Sequence, residues 1–272
     1  MRTDILLNDG WTFTYHDGSR HSVNIPHTWN AVDGQDGGND YWRGTNIYEK
    51  DFSCPKFDSG NQQVYLEFRG VNASAKVVLN GSTVTCHDGG YSTFRVNITN
   101  HLKPQNHLLV EVDNSVNDRV YPQKADFTFY GGIYRDVSII CVSESHFDLD
   151  YYGGPGIAVT PAIEGKDAKV TVETWLTGKK EGQTIRYTIT SRCGCKTWTA
   201  ESADTKAVLE IKDVHLWHGR KDPYLYDLKA ELIEGEEVLD TVSTRFGCRS
   251  YKIDPENGFI LNGEEYPLRG VS

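Results

Sequence analysis

Apolar side chains recur at every second position along most of this chain. Val64, Leu66 and Phe68 are the first clear example of this period. The same period returns at residues 94–98, 108–112, 170–172, 185–189 and 228–232. Each run has about four to eight residues and ends at Gly, Asn, Asp or Pro, which is typical of half-buried strands joined by turns. No stretch longer than about two turns has apolar residues at helical spacing. The pattern therefore predicts an all-β protein.

Two Asn-Gly pairs predict tight hairpins. Asn80-Gly81 separates the apolar residues 77–79 from residues 82–84, and Asn262-Gly263 follows the apolar run 259–261. Both residues of such a pair readily adopt positive φ, which a two-residue hairpin turn requires. We expect strands on both sides of each pair, and a further short strand over residues 266–271.

Turn signals about every 8 to 12 residues favour β-sandwiches. The Gly-Gly-Pro-Gly run at residues 153–156 opens a looser segment after an apolar strand at residues 136–142. We therefore expect one sandwich over residues 1–144 and a second over residues 145–250, whose length of about 100 residues suits an immunoglobulin-like fold. Residues 251–272 are left as a separate segment outside both domains.

Charge and cysteine usage narrow the class of protein. The 272 residues carry a net charge of −10 and contain no run of Lys or Arg, which argues against binding to nucleic acid or to anionic membranes. The first residues have too few apolar positions for a secretory leader, so a cytoplasmic location is expected.

Cys193 and Cys195 form the one close pair among six cysteines. We interpret them as neighbours on one face of a strand or turn, because no second pair at zinc-ligand spacing accompanies them.

Seven stretches, in order along the chain, resemble the N-terminal part of glycoside hydrolase family 2. They are IPHTWN (25–30), GGNDYWRG (37–44), FRGVNASAKVVLNG (68–81), HDGGYSTFRVNIT (87–99), ADFTFYGGIYRDVSI (125–139), LWHGRKDPYLYDL (216–228) and FGCRSYKIDPENGFILNGEEYPLRGVS (246–272). That family contains β-galactosidases, β-glucuronidases and β-mannosidases. The resemblance implies a jelly-roll, galactose-binding-like β-sandwich and then an immunoglobulin-like β-sandwich. A (β/α)8 barrel would follow, and the chain is expected to stop just before it.

The same resemblance places the catalytic chemistry outside this chain. Retaining glycosidases of the family use two glutamates about 5–5.5 Å apart, both on the barrel, and no residue here matches either one. The chain alone is therefore expected to be inactive, with no catalytic residue, metal ligand or cofactor of its own. Mg²⁺ and Na⁺, which family galactosidases often use, would be bound mainly by the barrel of the full-length protein.

Asp126 is the first candidate for a sugar contact. It stands seven residues before Ile133, where the resemblance to β-galactosidases implies an aspartate that reaches sugar hydroxyls. An ionised carboxylate can accept charge-assisted hydrogen bonds from two vicinal hydroxyls. The alternative is a structural role, in which Asp126 caps a turn or pairs with Arg119 or Arg135.

Asn39 and Asp40 are the other two candidates for substrate binding. They lie in the polar, glycine-rich loop 33–40, which resembles a family loop that reaches toward the mouth of the barrel. Glycine permits positive φ, as projecting binding loops require. The alternative is an ordinary solvated hairpin tip.

Five further positions are expected to be structural. Gly131 and Gly132 would let two stretches of backbone pass closely, and Arg135 would bind a carboxylate. His27 and Trp29 would pack in a core or between domains, with their polar atoms hydrogen-bonded.

The leading interpretation is the non-catalytic N-terminal region of a retaining β-glycosidase, most like a bacterial β-galactosidase that hydrolyses terminal β-D-galactosides. The chain would shape one wall of the substrate pocket and support the barrel. The alternatives are a β-glucuronidase parent, a free-standing carbohydrate-binding module, and a structural two-domain protein such as an adhesin. The expected partners are the carbohydrate substrate of the full-length enzyme, its catalytic barrel, and a second copy of the chain.

Overall fold

The computed structural model describes residues 1–33, 42–121 and 129–270. Among these residues the regular structure consists of strands and one 3₁₀ turn at Thr99–His101, without any α-helix. They divide into two compact units, one of Arg2–Glu144 with Tyr152–Gly154, the other mainly of Ser145–Tyr151 with Pro155–Ser272. The all-β prediction is confirmed.

The first unit is a sandwich of two antiparallel sheets, as in a jelly roll. Its strands are β1 (Thr3–Leu6), β2 (Trp11–Thr14), β3 (Arg20–Val23), β4 (Thr45–Ser53), β5 (Gln62–Phe68), β6 (Val71–Asn72), β7 (Ser74–Leu79), β8 (Ser82–Asp88), β9 (Phe94–Asn97), β10 (Gln105–Asp113), β11 (Gly132–Ile133) and β12 (Val137–Ser143). One sheet has the order β1-β12-β5-β9, the other has the order β3-β2-β4-β10-β7-β8, and β11 pairs with β6.

The core of the first unit follows the period-2 pattern. Leu108, Val110 and Val112 on β10 are all fully buried. On β5 the outward-facing Glu67 is buried as well. Its two carboxylate oxygens accept hydrogen bonds from Arg95 at 2.6 Å and from Arg69 at 2.9 Å. This pairing compensates for the removal of a charge from water.

The second unit is an immunoglobulin-like sandwich with a small additional sheet. Its strands are β13 (His146–Phe147), β14 (Ile157–Glu164), β15 (Asp167–Thr174), β16 (Leu176–Thr177), β17 (Gln183–Thr190), β18 (Thr197–Ser202), β19 (Lys206–Ile211), β20 (Tyr226–Glu234), β21 (Glu237–Phe246), β22 (Tyr251–Asp254), β23 (Gly258–Leu261) and β24 (Glu264–Glu265). The sandwich sheets have the orders β14-β15-β19 and β18-β17-β20-β21, β13 pairs with β16, and β22-β23-β24 form the additional sheet.

Both predicted hairpins are present. Asn80 and Gly81 have φ of 53° and 86° between β7 and β8, and Asn262 and Gly263 have φ of 52° and 84° between β23 and β24. The strand expected over residues 266–271 is wrong, since β24 ends at Glu265 and the described residues after it form no strand.

The residues that follow β24 are held by other contacts. The Tyr266 N–H donates to the Phe259 carbonyl at 2.9 Å, while its hydroxyl accepts from the Arg220 N–H at 3.1 Å. Pro267 has no N–H to continue a ladder. Residues 251–265, predicted as a separate segment, are grouped with the second unit, and Asn262 Nδ2 donates to the Trp217 carbonyl at 3.0 Å.

No helix in the described part of the chain has both the length and the hydropathy that crossing a bilayer requires.

Candidate functional site

The three residues predicted to contact sugar lie outside the described part of the chain. Asn39 and Asp40 fall within residues 34–41, and Asp126 falls within residues 122–128. The structure does describe the residues that flank these two segments. They form the observable part of the site.

Asn30 joins the flanks of both segments. Its side chain is fully buried. Nδ2 donates to Asp33 Oδ2 at 2.7 Å and to the Trp42 carbonyl at 3.0 Å, while Oδ1 accepts from the Gly131 N–H at 2.7 Å and from Asn114 Nδ2 at 3.2 Å. Asp33 and Trp42 bracket the first segment, and Gly131 follows shortly after the second. One amide thus holds the ends of both candidate loops, and we call these five residues the loop platform.

Further side chains satisfy the irregular backbone around the loop platform. The Trp42 N–H donates to Asp33 Oδ2 at 3.1 Å, and the Gly44 N–H donates to Asn114 Oδ1 at 2.9 Å. Thr28 Oγ1 donates to the Gly131 carbonyl at 2.8 Å. Buried backbone groups without a ladder partner need such acceptors and donors. The Asp33 carboxylate therefore acts as an acceptor that fastens a loop base.

Gly131 and Gly132 permit a close approach at this point. A Cβ on Gly131 would overlap the Trp29 ring and lie 2.6 Å from Asn114 Nδ2. A Cβ on Gly132, whose φ is +133°, would lie 2.5 Å from the His27 carbonyl oxygen. The prediction that these glycines let backbones pass closely is confirmed.

The predicted role of Arg135 is wrong. Its Nη1 donates to the carbonyls of Arg69 and Tyr91, at 3.3 and 3.0 Å, rather than to a carboxylate. The adjacent carboxylate, Asp136, is bound by Arg69 at 3.3 Å. Arg135 therefore fastens two loops through their backbone.

Aromatic rings lie beside the loop platform. Trp29 stacks on Phe13 with ring centroids 6.0 Å apart, and it meets Trp42 edge-on at 6.2 Å. Trp42 also packs against Tyr15 at 5.3 Å and His16 at 4.1 Å. The base of the first candidate loop therefore carries half-buried aromatic faces, which combine apolar area with polar edges.

The half-buried His27 and the fully buried Tyr48 form a polar pair in this cluster. His27 Nδ1 lies 2.7 Å from the Tyr48 hydroxyl. Burial lowers the pKa of His27 and raises the pKa of Tyr48, so both groups are favoured in their neutral forms. The hydrogen bond predicted for His27 is confirmed. The one predicted for Trp29 is wrong, because its buried Nε1 has no hydrogen-bond partner among the described residues.

Asn46 is a buried polar residue that sequence reasoning missed. Its side chain is 1% exposed, and neither Oδ1 nor Nδ2 has a partner in the described structure. The period-2 pattern could have predicted this burial, because Asn46 and Tyr48 occupy alternate positions on β4 and therefore face the same side.

A second polar feature of the first unit lies at the other end of β5. It is an open groove of about 370 Å³. Its lining includes Gln62, Gln63, Asn100, His101 and Glu144. The loop platform lies beyond the C-terminal end of β5, whereas this groove surrounds its first residues, so the two features are distinct.

Two histidines of the second unit contact different carboxylates and do not form one cluster. His215 Nε2 lies 2.6 Å from Asp222 Oδ2, while His218 Nε2 lies 3.4 Å from Glu264 Oε2. In the described ranges, no group of three or more His, Cys, Asp or Glu side chains is arranged to hold a metal ion.

Cys193 and Cys195 are joined by a disulfide in the loop between β17 and β18. The prediction of two neighbours on a strand or turn is correct about the turn, and it missed the bond between them.

The described chain thus contains a jelly-roll-like sandwich, with an amide-centred loop platform beside aromatic rings, and an immunoglobulin-like sandwich after it. Residues 36–142 match the family model "Glycosyl hydrolase 2 galactose-binding domain-like", and residues 155–249 match the model "Glycosyl hydrolases family 2". The chain belongs to glycosyl hydrolase family 2 and corresponds to its N-terminal galactose-binding-like and immunoglobulin-like domains.

Relatives that are named for different activities are similar to this chain. A β-glucuronidase of Bacteroides fragilis is 34% identical over 100% of the chain and 41% of its own length. A β-galactosidase of Thermoanaerobacter pseudethanolicus is 27% identical over 98% of the chain and 36% of its own length. The crystal structure of an FMN-binding β-glucuronidase from Facaelibacterium prausnitzii L2-6 superposes with a TM-score of 0.95 at 41% identity, over 100% of this chain and 43% of that one. The chain therefore spans about two-fifths of the length of such relatives.

Proposed function

We propose that this chain is the non-catalytic N-terminal region of a retaining β-glycosidase that hydrolyses β-glucuronides. Its loop platform would hold two loops, bearing Asn39, Asp40 and Asp126, against the substrate pocket of a barrel domain that supplies the two catalytic carboxyl groups. The observation that carries the proposal is the fourfold hydrogen bonding of Asn30, which fastens the flanks of both loops at one point.

The choice of a glucuronide rests on the relatives. Three curated relatives of this chain are named β-glucuronidases, two at 34% and 28% identity and one named only provisionally at 32%. A β-galactosidase follows at 27%. The galactoside expected from the sequence is therefore less well supported than the glucuronide alternative.

Hydrolysis assays on two forms of the protein test this proposal. The full-length gene product and residues 1–272 alone are given p-nitrophenyl β-glucuronide and p-nitrophenyl β-galactoside. We expect the full-length protein to prefer the glucuronide by at least about 100-fold in kcat/KM, equivalent to about 2.7 kcal/mol, with no turnover by the isolated chain. A preference for the galactoside would reverse the substrate assignment. Turnover by the isolated chain would contradict the non-catalytic role.

Matched variants of the full-length protein test the contribution of the loops. Asp126→Asn keeps the shape of the side chain but removes its charge, and we expect kcat/KM to fall about 10- to 100-fold, as for one or two charge-assisted hydrogen bonds. Asp9→Asn makes the same change at an exposed turn and should leave kcat/KM unchanged. Equal effects of the two substitutions would remove Asp126 from the pocket.

The polar groove favours a second candidate function, carbohydrate binding by the isolated chain. Gln62, Gln63 and Asn100 line a groove of about 370 Å³, which is large enough for one sugar ring. Calorimetric titration of residues 1–272 with galactose and with glucuronic acid tests this candidate. A Kd below about 1 mM, or −4.1 kcal/mol, that is lost in Asn100→Ala would support it. Absence of binding at that level would exclude it.

A further inference from the structure

The loop between β17 and β18 brings two cysteines together at the tip of a hairpin. Ser191 and Lys196 close the loop, with the Ser191 N–H donating to the Lys196 carbonyl and the Lys196 N–H donating to Ser191 Oγ, both at 3.0 Å. The Gly194 N–H donates to the Ser191 carbonyl at 2.7 Å, and Gly194 has φ of +70°. The tip is therefore an ordered turn that is closed by its own hydrogen bonds.

Cys193 and Cys195 lie in this turn with their Cα atoms 5.3 Å apart and a disulfide between them. Both residues are exposed. Ser191 Oγ lies 3.4 Å from Cys193 Sγ and 3.7 Å from Cys195 Sγ. This hydroxyl donates to the Lys196 carbonyl at 3.2 Å. It is close enough to turn its proton to either sulfur when that sulfur becomes a thiolate.

The charges next to the pair favour thiolate formation. Arg192 and Lys196 flank the two cysteines, and both are exposed. Among the described residues, no carboxylate lies within ion-pair distance of either cation. Neighbouring positive charge stabilises a thiolate, which is the reactive form of cysteine.

The other described cysteines contrast with this pair. Burial raises the pKa of the Cys141 thiol, and it raises the pKa of Cys248 to about 11. Those thiols are protected from exchange. Cys86 is exposed but has no cysteine partner. An exposed pair of cysteines is accessible to a reagent. It also has a second sulfur that can break the mixed disulfide formed with that reagent.

A bond that closes so short a loop contributes little to folding. The entropy that a disulfide removes from the unfolded chain grows with the number of residues it encloses, and here the two cysteines are two positions apart. The loop is also closed by its own hydrogen bonds. The pair is therefore poorly suited to a stabilising role.

We propose that Cys193 and Cys195 form a reversible thiol–disulfide exchange site for low-molecular-weight thiols. A small-molecule thiolate attacks one sulfur of the pair, forming a mixed disulfide and releasing the other sulfur as a thiolate that takes up a proton from solvent. A second small-molecule thiolate attacks the small-molecule sulfur of the mixed disulfide. This breaks its bond to the protein and releases the second cysteine as a thiolate that takes up a proton from solvent, and the two small molecules leave joined as their own disulfide. The protein keeps both thiols, so the two electrons gained by the pair come from two small-molecule thiols.

A redox titration of the chain tests the proposal. Native protein is equilibrated with graded ratios of reduced and oxidised glutathione, quenched with acid, alkylated and mapped by mass spectrometry. We expect the peptide that contains both cysteines to pass reversibly from disulfide to dithiol in one transition. The far-ultraviolet circular dichroism and the melting temperature should stay unchanged across it. A pair that resists reduction without denaturant would overturn the proposal, as would a pair that stays reduced at the oxidised end.

Variants separate exchange from a structural role. In Cys193→Ser the remaining Cys195 should take up one glutathione as a mixed disulfide, while Cys86→Ser should leave the titration of the pair unchanged. Ser191→Ala should slow exchange about fivefold, the equivalent of one neutral hydrogen bond. It also removes the acceptor of the Lys196 N–H, so a small fall in melting temperature is expected with it. Unfolding of the double variant Cys193→Ser/Cys195→Ser would assign the bond a structural role and contradict the proposal.

Discussion

The two sandwiches bury different kinds of polar side chain. Among the described residues, the first unit buries five asparagines, namely Asn30, Asn46, Asn72, Asn106 and Asn114. The second unit buries none, and its buried polar residues are Ser145, His146, Thr174, Gln183, Ser191 and Asp240. Four of the five asparagines bond to loop backbone or to one another, as Asn30 and Asn114 do in the loop platform.

This difference shows how each unit satisfies the hydrogen-bonding groups of its backbone. Ladder hydrogen bonds satisfy a regular strand without side chains, so a sandwich of long strands needs little beyond an apolar core. Irregular backbone needs donors and acceptors from side chains, and an amide supplies both. The first unit therefore uses amides where its chain leaves the sheets, and two of them, Asn30 and Asn114, bond to the residues that flank its candidate binding loops.

The largest effect is expected from the core of the second unit. Leu228 is fully buried, it lies opposite Ile189 on the neighbouring strand β17, and both belong to the apolar core of the second unit. We expect Leu228→Ala to lower the free energy of unfolding by about 3.5 kcal/mol, since it leaves a cavity in an apolar core. Urea titration measures this loss. Leu268→Ala, at a residue that is 70% exposed, should change it by less than about 0.5 kcal/mol. Equal losses would mean that the second unit does not depend on its apolar core.

A slightly smaller loss is expected at the loop platform from added volume. Gly131→Ala places a methyl group against the Trp29 ring and Asn114, and we expect a loss of about 3 kcal/mol by overpacking. The matched substitution Gly270→Ala meets no atom within 4 Å and should be neutral. Thermal unfolding of both variants checks the pair. A neutral Gly131→Ala would mean that Trp29 can move aside, and the loop platform would then be loosely packed.

The sequence allowed the strands to be predicted but not the loop platform. Val64, Leu108 and Val110 occupy alternate positions in short runs, and solvent exclusion acts on that period directly. Asn80-Gly81 specified its hairpin because the required backbone angles are local.

The loop platform depends instead on contacts between residues distant in the chain. Asn30 and Gly131 are 101 positions apart, and a single polar residue has no periodic pattern that reveals its partner. The role of Arg135 was misassigned for a related reason. Its acceptors are main-chain carbonyls, which every residue possesses and no sequence motif marks.

Removal of the central amide should cost less stability than the two substitutions above but should change the loops more. Asn30→Ala leaves the Gly131 N–H and the Trp42 carbonyl without their partner, and we expect a loss of about 2 kcal/mol. Limited proteolysis should show faster cleavage within residues 34–41 and 122–128. Leu228→Ala should leave that cleavage rate unchanged. Asn100→Ala, at an exposed residue, is the matched control. Unchanged cleavage in Asn30→Ala would show that the amide does not hold the loops.

The smallest effect is a pH dependence specific to the aromatic cluster of the first unit. Burial lowers the pKa of His27 below its ordinary value of 6.5. The unfolded chain therefore binds a proton that the folded chain rejects, and stability that is fully present above about pH 7 falls as the pH drops through 6.5 toward the folded pKa. We expect His27→Gln to remove up to about 1 kcal/mol of the stability lost between pH 7 and pH 5, a value discounted for the partial exposure of the ring. Urea titrations at both pH values measure this difference.

His101→Gln, on the exposed 3₁₀ turn, should leave the pH dependence as it is. A residual slope in His27→Gln is expected from His87, whose pKa burial also lowers. A slope equal to that of the unaltered chain would mean that His27 is protonated within the folded cluster without cost, and the Tyr48 hydroxyl would then be acting as its acceptor.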